Sequence, residues 1–156
     1  MQQPQVRTPA GTFEGLWADD AQSIQVFKGI AYASPPVGPL RFRAPVPKQS
    51  LPGVTLAQTD PTPGWQAHSE DAFVWSRGVF PRSEDCLYLN VWAPKAAQAI
   101  GGDLPVMVWF HGGAHTSGWG HHPLFDGDYF ATQGVILVTV NYRLRSEEHT
   151  SELQSR

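Results

Sequence analysis

Residues 104–118 read Leu-Pro-Val-Met-Val-Trp-Phe-His-Gly-Gly-Ala-His-Thr-Ser-Gly. The apolar run 106–110 that follows Pro105 has no polar alternation and is too short for a helix. It is expected to form a strand buried on both faces, as in the middle of a parallel or mixed sheet. The chain then turns through His111, Gly112, Gly113 and Ala114. Glycines there let the backbone take unusual angles and bring its N–H groups close to a bound group. The same residues also suit a plain glycine-rich turn between two strands.

Downstream, residues 123–133 place Leu124, Phe125, Tyr129 and Phe130 at roughly helical spacing, and Gly134 supplies a helix stop. A second continuous apolar, β-branched run occupies 135–140. Strand, loop, helix, strand is a crossover unit, which predicts a parallel pair in a mostly parallel sheet. Upstream, residues 86–92 alternate and are rich in Leu, Tyr, Val and Trp, so they predict a strand ending at Ala93-Pro94. A polar connection, 95–103, leads from it into 106–110. Nearer the start, 11–17 and 23–27 are expected to form a hairpin around the turn 18–21, marked by Asp19 and Asp20. Residues 29–47 are dense in proline and without period, a loop held by packing, and 51–81 are the least informative stretch.

Several of these segments carry a resemblance when taken in order. GIAYASPPVGPL at 29–40 runs into Arg41-Phe42-Arg43, SEDCLYLNV follows at 83–91, then HGGA at 111–114 and VNYRL at 140–144. Val6, Thr8, Gly11 and Gly15 are spaced as in a first hairpin of the same kind. Over residues 5–144 the chain resembles the type-B carboxylesterase and cholinesterase family of α/β-hydrolases. The resemblance implies an α/β fold, the N-terminal portion of an α/β-hydrolase with a hairpin plus a mixed, mostly parallel sheet. Residues 1–144 would then be the N-terminal, incomplete part of a type-B carboxylesterase domain.

Ester hydrolysis in such a fold needs a nucleophilic serine, a histidine base, an orienting acid and N–H donors aimed at the developing oxyanion. The serine sits on a G-x-S-x-G elbow, and Ser34, Ser83 and Ser117 all lack that context. The resemblance places the triad beyond residue 144, so this chain alone is expected to be inactive. What the resemblance assigns to this chain is part of the oxyanion hole: the amides of Gly113 and Ala114, with Gly112 shaping the loop. His115 stands where relatives usually place an aromatic, as a wall of the acyl pocket or as a solvent-facing side chain. Arg41 and Glu84 are expected to pair; if that pair is buried, removing one partner costs about 3–5 kcal/mol. Cys86 is the only cysteine. Many relatives carry its disulfide partner near residues 60–66, and this sequence has none there. Cys86 thus reads as a buried thiol behaving as a small apolar residue, which favours a bacterial-type or intracellular member. Trp65, Phe73 and Trp75 suit either the mouth of a substrate gorge or ordinary packing.

The reading is a carboxylic ester hydrolase acting on small-molecule esters without a cofactor. Its rival is a fragment of a non-catalytic, cholinesterase-like adhesion protein, and small residues at the donor positions lean toward the enzyme. A formal charge of −3 over 156 residues argues against nucleic acid and anionic membrane as partners. No apolar run approaches a membrane span, and residues 1–10 lack the basic start and apolar centre of a signal peptide, so a cytoplasmic location is favoured. His111, His115, His121 and His122 cluster, but the intervening glycines disfavour the helix that metal spacing needs, and no metal is expected. RSEEHTSELQS at 145–155 reads codon for codon as the translation of a common sequencing-library adapter. Residues 145–156 are accordingly expected to be a non-native tail and are set aside from fold reasoning.

Overall fold

The computed structural model of the chain describes residues 2–50, 52–66, 80–98 and 104–144. Phe73, Trp75, residues 99–103 and the tail 145–156 lie outside the described residues. Among the described residues, eight strands, β1 (Gln5–Thr8), β2 (Gly11–Glu14), β3 (Leu16–Trp17), β4 (Ile24–Ala31), β5 (Val54–Leu56), β6 (Tyr88–Pro94), β7 (Val106–Phe110) and β8 (Ile136–Val140), form two sheets. The smaller has the order β1-β2-β5 and the larger β3-β4-β6-β8-β7. The α-helix α1 (Asp128–Thr132) bridges β7 and β8 in sequence and packs against the larger sheet.

The predicted crossover is present: β7 and β8 pair in parallel, from Val106 opposite Ile136 to Phe110 opposite Val140. The sheet is mixed, but its mostly parallel character is not found among the described strands. β3–β4, β4–β6 and β6–β8 are all antiparallel. Connectivity explains the two ends of this sheet: β3 and β4 are joined by a tight turn and run antiparallel, while the β7-to-β8 link carries α1 and brings β8 back parallel to β7. The predicted hairpin is the β3–β4 pair, whereas β2 departs from it to pair with β1 and β5. Asp19 closes the β3–β4 turn alone, accepting from the amides of Ser23 and Ile24 at 2.9 Å and from the Ser23 hydroxyl. These donors, the Ser23 hydroxyl foremost, hold its carboxyl below the usual range.

The helix is shorter than its spacing predicts. Pro123–Phe125 form a 3₁₀ turn, and Gly127 then lies so close to Trp92 that a Cβ would meet its ring at 2.7 Å. That close approach breaks the segment and lets α1 cover Trp92, Ile24, Val26 and Leu137, with Ala131 at the centre of the contact. Gly134, at φ +76°, ends it as expected. On β4 a bulge between Phe27 and Ile30 is filled from β6. Buried Asn90 accepts the Gly29 amide at 2.8 Å and donates to Asp60, whose other oxygen pairs with Lys28, each at 2.8 Å.

The expectation that 106–110 is buried on both faces does not hold in this chain. β7 is the edge of the sheet, and Val106, Val108 and Phe110 are 58%, 50% and 63% exposed. No described strand pairs with its outer edge, so apolar side chains and unpaired backbone groups face outward together.

Arg41 Nε lies 2.6 Å from Glu84 Oε1, tying the end of the proline-rich loop to the segment before β6. The side chains are 50% and 25% exposed, so water screens the pair, and the cost of a buried charge does not apply. Cys86 is buried beside Ala33 and Leu87. The residue facing it is Gly64, where a Cβ would stand 3.8 Å from that of Cys86. A disulfide uses that separation, so a glycine at 64 is what leaves Cys86 outside one.

Two outcomes follow from this frame. A double-mutant cycle on Arg41→Ala and Glu84→Ala in a folded parent should give a coupling below about 1 kcal/mol; a value several times larger would show the pair to be desolvated. The chain expressed as it stands should self-associate through β7, and Phe110→Lys should raise its soluble fraction. Sedimentation velocity reads this, and a monodisperse, cooperatively unfolding monomer would contradict it.

Candidate active-site loop

The loop begins where β7 ends, and β8 delivers its neighbours. Because Phe110 sits opposite Val140, His111 emerges beside Asn141 and Tyr142. The His111 ring is 3% exposed and stacks on Tyr142, with centroids 4.3 Å apart and planes 11° apart. The Tyr142 hydroxyl donates to the His111 carbonyl at 2.5 Å. His111 Nδ1 lies 2.8 Å from the Gly112 carbonyl, an acceptor only, which makes Nδ1 the protonated nitrogen of a neutral ring. Burial pushes the His111 pKa down, opposed by the Gly112 carbonyl, so the ring is uncharged at neutral pH.

From Gly113 the backbone is left-handed for three residues, with φ +125° at Gly113, +52° at Ala114 and +57° at His115. Two of these are not glycine, at a cost of about 1–2 kcal/mol each. At Gly113 a Cβ would collide with the Ser117 carbonyl, so only glycine fits. At Gly112 nothing lies within 4 Å of a would-be Cβ, so its glycine has no such steric reason. The turn closes on the Gly113 carbonyl, which accepts from the Thr116 amide at 2.9 Å, the Ser117 amide at 3.2 Å and the Thr116 hydroxyl at 3.0 Å. Among the described residues, the amides of Gly113 and Ala114 donate to nothing. The carbonyl side of the turn is saturated and its N–H side is open.

Further along, Gly118 and Gly120 are each held by a side chain. The buried Gln66 accepts the Gly118 amide at 2.8 Å and donates to its carbonyl at 3.1 Å. Asn141 accepts the Gly120 amide at 2.6 Å and turns its NH₂ toward His121 Nδ1 at 3.3 Å. Burial pushes the His121 pKa down to about 4, so it too is neutral at neutral pH. His115, by contrast, is exposed and meets Tyr142 edge-on at 6.0 Å. Ser117 is engaged with the turn itself, its hydroxyl 3.5 Å from the Gly113 carbonyl. Among the described residues, no group of three or more His, Cys, Asp or Glu is placed to hold a metal, and no helix is long and apolar enough to cross a membrane.

The sequence reading assigned Gly112, Gly113, Ala114 and His115 to this loop but missed its holders. Asn141 and Tyr142 were visible only as part of the VNYRL resemblance. Gln66 gave no signal at all, because its partner is 52 residues away. Trp65 is 58% exposed and lies under the Arg82 guanidinium at 5.4 Å, a surface contact rather than core packing.

Known proteins resemble this chain in sequence and in fold. Acetylcholinesterase-1 of Trittame loki is 40% identical over 145 residues, covering 90% of this chain and 26% of that protein. Para-nitrobenzyl esterase of Bacillus subtilis (strain 168) is 46% identical over 127 residues, covering 78% of this chain and 24% of that protein. The solved structure of a PNB esterase superposes with a TM-score of 0.75 at 40% identity, over 92% of this chain and 28% of that one. The chain thus spans about a quarter of the length of the curated relatives it matches. The carboxylesterase family matches residues 2–146, nearly the whole sequence, and the chain belongs to that family.

Proposed function

We propose that residues 1–144 are the N-terminal part of a serine esterase that cleaves carboxylic esters through an acyl-serine intermediate. Residues 145–156 stand outside that domain. The observation that carries the activity is the open N–H side of a strained, glycine-dependent turn at the end of a sheet strand. The histidine takes the serine proton as the serine oxygen attacks the ester carbonyl, and the carbonyl oxygen becomes an oxyanion. The alcohol leaves with that proton, and water then releases the acid from the acyl-serine. The amides of Gly113 and Ala114 are the donors for that oxyanion, and a third comes from the residue after the serine. The serine, its base and its acid belong to sequence beyond residue 144.

One such donor contributes about 2.7–4 kcal/mol to the transition state when it is held in place beforehand. The turn meets that requirement because its strain is met in the fold rather than during reaction. Neutral His111 and His121 add no positive charge that would bind the acid product. His115 is exposed beside Tyr142 and is assigned to the acyl-pocket wall, where it makes that wall more polar than an aromatic would. The relatives named for acetylcholine and for para-nitrobenzyl esters share the ester bond and little else, so the substrate class is carboxylic esters. An adhesion protein built on the same shell would have no use for unengaged amides at 113 and 114, which favours the enzyme.

In the longer protein, p-nitrophenyl acetate should be hydrolysed with a burst of p-nitrophenol. Gly113→Ala should lower kcat by about 10²-fold or more, because its Cβ displaces the turn, while Gly112→Ala, with open space, should cost far less. Equal kcat for the two variants would contradict the assignment.

A further inference from the structure

The turn that presents Gly113 and Ala114 is not held by its own bonds alone. We infer that Gln66 is a positioning residue for this loop, gripping Gly118 so that the two open amides keep their place. The inference rests on the esterase reading above. Gln66 is 4% exposed, and its amide is almost fully used. Nε2 donates to the carbonyls of Gly64 at 3.2 Å and Gly118 at 3.1 Å, and Oε1 accepts the Gly118 amide at 2.8 Å. Two antiparallel bonds to one residue resist both sliding and rotation, which a single bond does not.

Gly118 in turn cannot move without moving the loop. It sits at φ +104°, and a Cβ there would stand 2.6 Å from the Gly112 carbonyl and 2.5 Å from His111 Nδ1. The grip therefore bears on the peptide group immediately before Gly113. Gln66 is itself anchored: its carbonyl accepts from the Arg82 guanidinium, which lies over the rings of Trp65 and Phe80 at 5.4 and 6.0 Å. Phe80 packs on Trp119, the residue after Gly118, with centroids 4.3 Å apart. Two routes, one through hydrogen bonds and one through packed, tilted rings, thus join the segment around Gln66 to the far end of the loop. Asn141 and Tyr142, just after β8, hold the same loop, and Gln66 holds it from a segment far earlier in the sequence. It does not touch the reacting atoms.

A purely structural Gln66 would protect stability and leave turnover per folded molecule alone, so the test counts active sites. In the longer protein, Gln66→Met keeps the side-chain length and removes all three bonds. With sites counted by fluorophosphonate titration carried to completion, kcat for p-nitrophenyl acetate should fall by about 10²-fold while KM stays within a few-fold. Affinity for a trifluoromethyl ketone, whose adduct loads an oxyanion onto the loop, should fall in parallel. Gln66→Glu is nearly isosteric but sets a carboxylate against the Gly64 and Gly118 carbonyls. Its kcat relative to wild type should rise as pH falls, because the protonated acid regains a donor. If Gln66→Met fails to fold, that pH ratio decides alone. Wild-type turnover with kcat per site unchanged, or with a pH-independent ratio in Gln66→Glu, would overturn the inference and leave the esterase reading standing. A wild type without turnover would overturn both.

Discussion

The parallel register of β7 and β8 is the constraint on which the rest of the site depends. It places Phe110 beside Val140, so the residues that leave the two strands emerge next to each other at one end of the sheet. One strand leads into the loop, His111 through Gly120, and the other leads into Asn141 and Tyr142, which take hold of it. A slip of one residue would turn Tyr142 away from His111 and Asn141 away from Gly120, because side chains alternate along a strand. The crossover helix makes this pairing possible, and Gly127 against Trp92 makes the helix fit.

Strain and hydrogen bonding are divided within the loop in a way that explains its openness. Left-handed Ala114 and His115 raise the energy of the turn, and bonds converging on the Gly113 carbonyl offset it at roughly 1 kcal/mol each. Since those bonds take their donors from Thr116 and Ser117, the amides of Gly113 and Ala114 are left over. The imidazoles of His111 and His121 stay neutral because burial disfavours their charged forms, and the neutral tautomers fit the hydrogen bonds they make. The loop is therefore polar and uncharged, a setting in which developing negative charge meets dipoles rather than a counter-ion.

Much of the frame was legible in the sequence, for physical reasons that also mark where legibility ends. Continuous apolar runs at 106–110 and 135–140 announced two strands with a helix between them, and alternation at 86–92 announced β6. HGGA announced a backbone that only glycine permits at 113. Burial of β7 was misjudged because an apolar run reports what a strand needs, not whether a neighbour is there to meet it. Helix length was overestimated because apolar spacing cannot foresee the contact of Gly127 with a tryptophan from another strand. Asn90 at the bulge and Gln66 at the loop escaped notice for the same reason: a side-chain amide makes its bonds to whatever backbone the fold brings to it, and nothing in its own neighbourhood of sequence records the partner.

The claim on which the account turns is that the two open amides converge on one oxyanion. A crystal structure of the longer protein carrying a trifluoromethyl ketone adduct on its nucleophile tests it most directly. The adduct oxygen should lie about 2.7–3.1 Å from the amide nitrogens of both Gly113 and Ala114, with the turn unchanged at Gly118. An adduct oxygen bound elsewhere, or reached by only one of the two after the loop has rearranged, would contradict it.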